Sequence, residues 1–425
     1  MPTKEKTLAV LQVALPWVLA VCAFTCCLTG VLAADSADFG VFMTAGTDFR
    51  AQPDELYSWT HGTGKYPFLY PPFFAMAFLP FSLMPRPMAY AAWEATSVLV
   101  FFSGLACLSK VACGGDLRAA NRWRAAAVLP VLPAVLLDVQ DGQINLFLCG
   151  ILATSVGLCV GRRSMVGGLL LGLAVHLKVL PVVLVGWLLL RRDWRGCLGF
   201  SVGLAGCGVA ALAGLALLHG AEGAAAAVHL HVQYLQEVVS PAASDFSMRQ
   251  ALSDSELNWA LSATLGSFAA GESWGLRLGG FLTAGLLYRL ALAPIRHRKS
   301  PNDEACAAGL AFIAACLANP TCWLIHTVAL SLAFGSAWWR GSGTQRHLLL
   351  AAVLGLEVAA YAPRMLALSP PHYELVASWT EVRGPVWAFY ACCLALWIVW
   401  LRPGRLTGPG EAPITASAAV EEEGA

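Results

Sequence analysis

The sequence predicts an all-α fold, a polytopic bundle of about twelve or thirteen membrane helices, and three observations carry it. Hydrophobic residues make up 58% of the 425 and charged residues only 12%, about half the share found in a soluble domain. Apolar stretches recur along almost the whole length, and mean hydropathy is +0.64. Period-two alternation is absent, which argues against a β-barrel. Helices, which satisfy their own backbone, are the remaining way to span lipid.

The elements follow in order. Met1 to Lys6 is short and carries two lysines, and the run 9–32 is too long for a signal sequence. It reads as a retained first span with its N-terminus in the cytoplasm. Residues 33–70 are polar, with Asp35, Asp38, Asp48, Arg50, Asp54, Glu55, His61 and Lys65 among Tyr57, Trp59, Tyr66 and Tyr70. Rings mixed with charge suit an interfacial segment better than a free loop. Tyr70-Pro71-Pro72 marks a helix start, since proline is tolerated in the first turn. Spans are expected at 71–84, 88–109, 125–138, 143–161, 165–177, 179–190, 197–218, 276–294, 305–318, 320–339, 346–362 and 386–402. With 9–32 these are thirteen candidates, and twelve or thirteen crossings both fit. Several are too short to cross about 30 Å of hydrocarbon alone, and short broken segments usually line a cavity.

Charge orients the bundle. Arg118-Arg122-Arg124, Arg191 to Arg195, Arg296 to Lys299 and Arg340 to Arg346 are basic clusters expected in the cytoplasm. That makes 219–275 an extracytoplasmic loop holding His219, His229, His231, Asp245 and Arg249. Residues 1–402 form one transmembrane domain, and the Pro/Gly/Ala-rich tail 403–425 reads as disordered. A net charge of +1 gives no sign of nucleic-acid binding. Most of the fourteen cysteines sit inside apolar runs as small buried hydrophobes. No CxxC pair with flanking histidines suggests a metal, and no cofactor is expected.

Five polar interruptions could carry chemistry. Asp38 lies just past the first span, where a carboxylate meeting water costs little and one at the bilayer centre about 2.5–3.5 kcal/mol or more. Tyr70 precedes the proline pair. Asp141-Gly142-Gln143-Ile144-Asn145 breaks two apolar stretches with amides that need partners at membrane depth. Lys178 interrupts an otherwise uncharged run from Gly167 to Leu190 and could pair with a lipid phosphate. His326 lies about 9 Å along a helix from Pro320, within reach of a pocket at the outer face. Each also has a plain structural reading: an exposed helix-end carboxylate, a helix start, a capped turn, a snorkelling lysine, a histidine bonded to a helix carbonyl. Asp35 and Asp48 compete with Asp38 for a catalytic role.

The ordered set Asp38-Phe39-Gly40-Val41-Phe42, Glu55-Leu56-Tyr57, Tyr70-Pro71-Pro72, Gly142-Gln143-Ile144-Asn145, Lys178-Val179-Leu180-Pro181 and Asn319-Pro320-Thr321-Cys322-Trp323 with His326 resembles the family-87 glycosyltransferases. The likeness covers roughly residues 10–340. It implies the GT-C fold of polyprenyl-phosphate-mannose-dependent α-mannosyltransferases. It implies a polyprenyl-phosphate sugar donor, a glycolipid or glycan acceptor, and a site on the outer side of a bacterial cytoplasmic membrane. Asp38 would be the general base of an inverting displacement, and Lys178 and His326 would bind the leaving phosphate. Gln143, Asn145 and Tyr70 would complete the substrate site, with membrane lipid around it. Two other readings stand beside it. A secondary transporter or flippase would also use broken helices with Lys178 and Asp141 at depth, although no internal repeat is visible. An inactive scaffold of the same fold would explain why Ser244 to Gln250 departs from the family's second loop.

Overall fold

A computed structural model describes residues 37–57, 68–239, 274–296, 300–318, 328–366 and 384–401, and among them there are helices and turns but no strand. Helix α1 (Ala37–Ala51) comes first, followed by a 3-10 turn at Pro53–Glu55. Helix α2 (Pro72–Ser82) starts on the proline pair, with Pro71 as its N-cap, where a missing N–H costs nothing. Helix α3 (Arg86–Ala112) has 27 residues, about 40 Å at 1.5 Å per residue. Asp116 caps α4 (Leu117–Val128), accepting from the backbone N–H groups of Arg118 at 2.8 Å and Ala119 at 3.2 Å. Then follow α5 (Leu132–Asp141), α6 (Asn145–Val160), α7 (Ser164–Leu177) and α8 (Leu184–Leu190). Helix α9 (Trp194–Gln233) runs into a π-helical stretch, Tyr234–Val239. The rest are α10 (Trp274–Leu292), α11 (Pro301–Ala318), α12 (Ser331–Arg340), α13 (Gly343–Leu366) and α14 (Gly384–Leu401).

Three of these segments are long and apolar enough to cross a membrane: Arg86–Ala112, Trp194–Val239 and Leu278–Ile295. A fourth appears if Leu117–Val131 and Ala134–Asp141, bent by 66°, act as one broken span. The molecule is a multi-pass membrane protein. Most of the other expected spans are shorter apolar helices, including Pro72–Ser82, Asn145–Val160, Ser164–Leu177 and Leu180–Leu190. Residues 9–32 lie outside the described residues.

Within the expected extracytoplasmic loop 219–275, the chain is helical through to Val239. The alanine-rich stretch Ala224–Ala227 favours helix, and the chain turns at Gly220, where φ is 65°. A Cβ on Gly223 would stand 2.1 Å from the Leu215 carbonyl oxygen, so the second half lies back against the first. Residues 240–273 are outside the described residues.

Glycines set the helix spacing. A Cβ on Gly104 would lie 2.1 Å from the Gly150 carbonyl oxygen, and one on Gly157 3.1 Å from Leu108. Helices α3 and α6 therefore run in parallel, backbone against backbone, as small residues permit in lipid. Gly168 against Gly196 and Gly203 against Leu169 do the same for α7 and α9. At one end of the bundle Arg191 pairs with Glu304 at 2.9 Å, and Arg340 with Asp303 at 2.6 Å. Two basic clusters are thus pinned to the first turn of α11.

Candidate functional site

The site is built around the turn between α5 and α6. Helix α5 ends at Gly142 in the left-handed conformation (φ 67°, ψ 31°), the usual glycine stop. Glycine has a second reason to be there: a Cβ would stand 2.6 Å from the Cβ of Phe39. Helix α1 therefore comes up against the turn and delivers its first-turn acid, Asp38. The amide of Gln143 donates to Asp38 Oδ2. The turn is clamped from behind by α3. The Tyr90 hydroxyl sits 2.5 Å and 2.7 Å from the carbonyl oxygens of Val139 and Gln140, and Trp93 Nε1 donates to the Gly142 carbonyl at 3.2 Å.

Beside this contact runs a second row. Asn145 Nδ2 donates to Asp138 Oδ1 at 3.0 Å, and the Leu146 N–H donates to Asp138 Oδ2 at 2.8 Å. Lys178 Nζ donates to Asn145 Oδ1 at 2.9 Å. Asp138 is fully buried, and Gln143 and Asn145 nearly so. Lys178 reaches this place because α7 stops at it: its backbone is extended (φ −159°, ψ 130°), and a 3-10 turn at Leu180–Val183 follows. A small cleft opens beside the ammonium, lined by Asn145, Cys149, Lys178, Leu180, Phe312 and Cys316 among others. Its walls are almost wholly apolar.

Burial pushes the Asp38 carboxyl up to about 6, the Asp141 carboxylate adds to this, and the Lys178 ammonium opposes it. A carboxylate held there is a better proton acceptor near neutral pH than a free one. Tyr70 lies on the same side. Its carbonyl accepts from the Tyr57 hydroxyl at 2.9 Å, and its ring packs edge-on to Phe42 at 5.2 Å. Burial, then the Asp38 charge, raises the Tyr70 phenol above its ordinary value.

The structure thus brings together Asp38, Gln143, Asn145, Lys178 and Tyr70 from four separate stretches of sequence. His326 lies outside the described residues, as do Trp59, His61, Lys65 and Tyr66. Asp48 is buried further along α1, about 15 Å on from Asp38 at 1.5 Å per residue. Sequence reasoning missed Asp138. The signal was present, since an acid inside an apolar run is a functional candidate by default. It was taken for the boundary of the span 125–138.

A family model, Glycosyltransferase family 87, matches residues 68–320, more than half of the chain. The chain belongs to that family. Curated relatives include the polyprenol-phosphate-mannose-dependent alpha-(1-2)-phosphatidylinositol mannoside mannosyltransferase of Mycolicibacterium smegmatis, 36% identical over 173 residues. That alignment spans 37% of this chain and 38% of the relative. The Mycobacterium tuberculosis protein of the same name is 35% identical over 167 residues, 36% of this chain and 37% of its own length. The chain thus matches these curated relatives over little more than a third of their length. Among solved structures, ArnT from Cupriavidus metallidurans in the apo state superposes over 93% of this chain and 76% of its own, with 15% identity and a TM-score of 0.38.

Proposed function

We propose that this family-87 glycosyltransferase transfers mannose from a polyprenyl phosphate to a glycolipid or glycan acceptor, with inversion, through a GT-C type site on the outer face of a bacterial cytoplasmic membrane. Asp38 takes the proton of the acceptor hydroxyl as the new C1–O bond forms. The C1–O bond to phosphate breaks at the same time, and polyprenyl phosphate leaves with its electron pair. Lys178, joined by His326, binds the phosphate and balances its growing charge, as fixed donors do in a water-poor site. Gln143 orients Asp38, Asn145 orients Lys178, and Tyr70 borders the sugar.

One observation supports this reading above the others. A carboxylate and an ammonium meet the same four-residue turn, Asp38 through Gln143 and Lys178 through Asn145. A carboxylate and a cation thus share one frame, with a small cleft next to the cation, and this supports their reading as base and phosphate partner. The names of the curated relatives support mannose, a polyprenyl-phosphate carrier and a glycolipid acceptor.

The test uses the full chain in lipid nanodiscs with synthetic β-linked polyprenyl-phosphate-mannose and a phosphatidylinositol mannoside acceptor. The expected product carries a new α-linked mannose, and Asp38→Asn abolishes it. Undiminished transfer by Asp38→Asn removes Asp38 from the base role. Absence of transfer to any glycolipid, with the donor still bound, removes the acceptor class.

A further inference from the structure

Helix α3 clamps the site turn with one stripe of side chains. Tyr90 and Trp93 head it, and their polar atoms are all engaged with turn carbonyls. The same stripe continues one turn further with Glu94 and Ser97, three residues apart and so on one helix face. Glu94 is 2% exposed and Ser97 0%. Among the described residues neither carboxyl oxygen of Glu94 nor the hydroxyl of Ser97 has a hydrogen-bond partner.

Register places the two beside the site. Helices α3 and α6 are parallel, and Gly150 lies against Val100 and Phe101. Glu94 and Ser97, two turns and one turn earlier, then lie level with the turn and the start of α6. The charged groups facing Glu94 are Asp138 and Asp141, and its neighbour Trp93 packs on Phe147 at 5.4 Å. Leaving such groups unpaired in a buried site costs several kcal/mol or shows as a bound water. An internal water needs two to four polar partners. Two carboxyl oxygens and a hydroxyl supply three.

We propose that Glu94 and Ser97 are positioning residues for the site turn, together holding an internal water on the face of α3 that packs against α6. The Tyr90 and Trp93 contacts fix the carbonyls of the turn, and the water fills the same α3 stripe one turn further on, so that the clamp is packed along its length. The water site rests on packing alone, whereas its effect on turnover rests on the proposed transfer reaction.

Two experiments test it. The first is a high-resolution cryo-EM map of the full chain in nanodiscs. Density for a water within about 3.2 Å of both the Glu94 carboxyl and Ser97 Oγ is expected. Direct van der Waals closure around these groups, in a map showing other internal waters, overturns the proposal whatever the enzyme's substrate. The second compares Glu94→Gln and Glu94→Leu in mannose transfer. Glu94→Leu should lower kcat about tenfold, the scale of one lost hydrogen bond, with the donor KM little changed. Glu94→Gln, which can still bond a water, should restore most of it. Equal loss in both, or none in Glu94→Leu, overturns the positioning role. If Glu94→Leu does not fold, Ser97→Ala takes its place, with a smaller fall in kcat expected and none counting against the proposal.

Discussion

Lys178 donates to Asn145 at 2.9 Å, and Asn145 in turn donates to the buried Asp138 at 3.0 Å. The lysine is therefore linked to a carboxylate through an amide. In the proposed reaction this link holds the cation beside the cleft that would take the donor phosphate. Lys178→Ala should weaken binding of polyprenyl phosphate by roughly 10- to 100-fold, the range for losing a hydrogen bond to a charged group. Lys178→Arg should recover only part, because the planar fork does not replace a point charge. Titration of labelled polyprenyl phosphate into nanodiscs measures both, and unchanged affinity in Lys178→Ala takes the phosphate away from this lysine.

Asp38→Asn should reduce kcat by about 100- to 10,000-fold, the usual contribution of a positioned base. Donor affinity should change little, because the asparagine still faces the Gln143 side chain. Single-turnover transfer separates the two effects. Gln143→Ala should show a smaller loss of the same kind, since it frees the carboxylate without removing it.

The pH dependence follows from the charges around Asp38. The proposed base works ionised, and burial pushes its carboxyl up to about 6. Transfer should therefore be full above that value and fall as pH drops through it. Asp141→Asn removes a charge that raises Asp38, so the acid limb should move to lower pH. Lys178→Ala removes one that lowers it, so the limb should move up. Profiles of kcat/KM read both directions, and a limb that ignores both substitutions separates Asp38 from it.

Gly142→Ala should damage fold and site together. Its φ of 67° disfavours a side chain, and the new Cβ would meet Phe39 at 2.6 Å. A loss of about 1–3 kcal/mol is expected from the backbone alone, with further loss from pushing α1 away. The check is thermal unfolding in nanodiscs, alongside the rate. The rate should fall more than stability explains, because Asp38 moves with α1.

Asp138→Leu should be worse than Asp138→Asn. The carboxylate accepts from Asn145 and from the Leu146 backbone. Leucine leaves two buried donors unsatisfied at about 1–3 kcal/mol each, while asparagine keeps one acceptor. Expression level and melting temperature distinguish them. Equal stability of the two variants shows that these hydrogen bonds carry no weight.

Much of this arrangement was legible in the sequence. Gly142, Gln143, Asn145 and Lys178 each interrupt an apolar run, and an interruption at membrane depth is costly enough to need a cause. Asp38 was visible for another reason, as a carboxylate just past the end of an apolar run. Which groups touch was not legible. Asp38 and Gln143 are 105 residues apart, and only the approach of Phe39 to a bare Gly142 joins them. Asp138 and Glu94 were hidden by their hydrophobic neighbours, because a single acid in a long helix changes no average. Basic clusters place 219–275 between two spans but say nothing of its conformation, which through Val239 is helical and is decided by its alanines and the fold-back onto Leu215.

The contact of Gly104 with Gly150 carries a consequence for variation in this protein. Two backbones that touch leave no slack, so any bulk introduced at that seam acts like a wedge in a hinge. The wedge would sit about two helical turns from the turn that carries Gln143. Harmless-looking changes deep among the apolar residues, glycine to alanine at either position, should therefore be felt at the reacting atoms without altering one polar group.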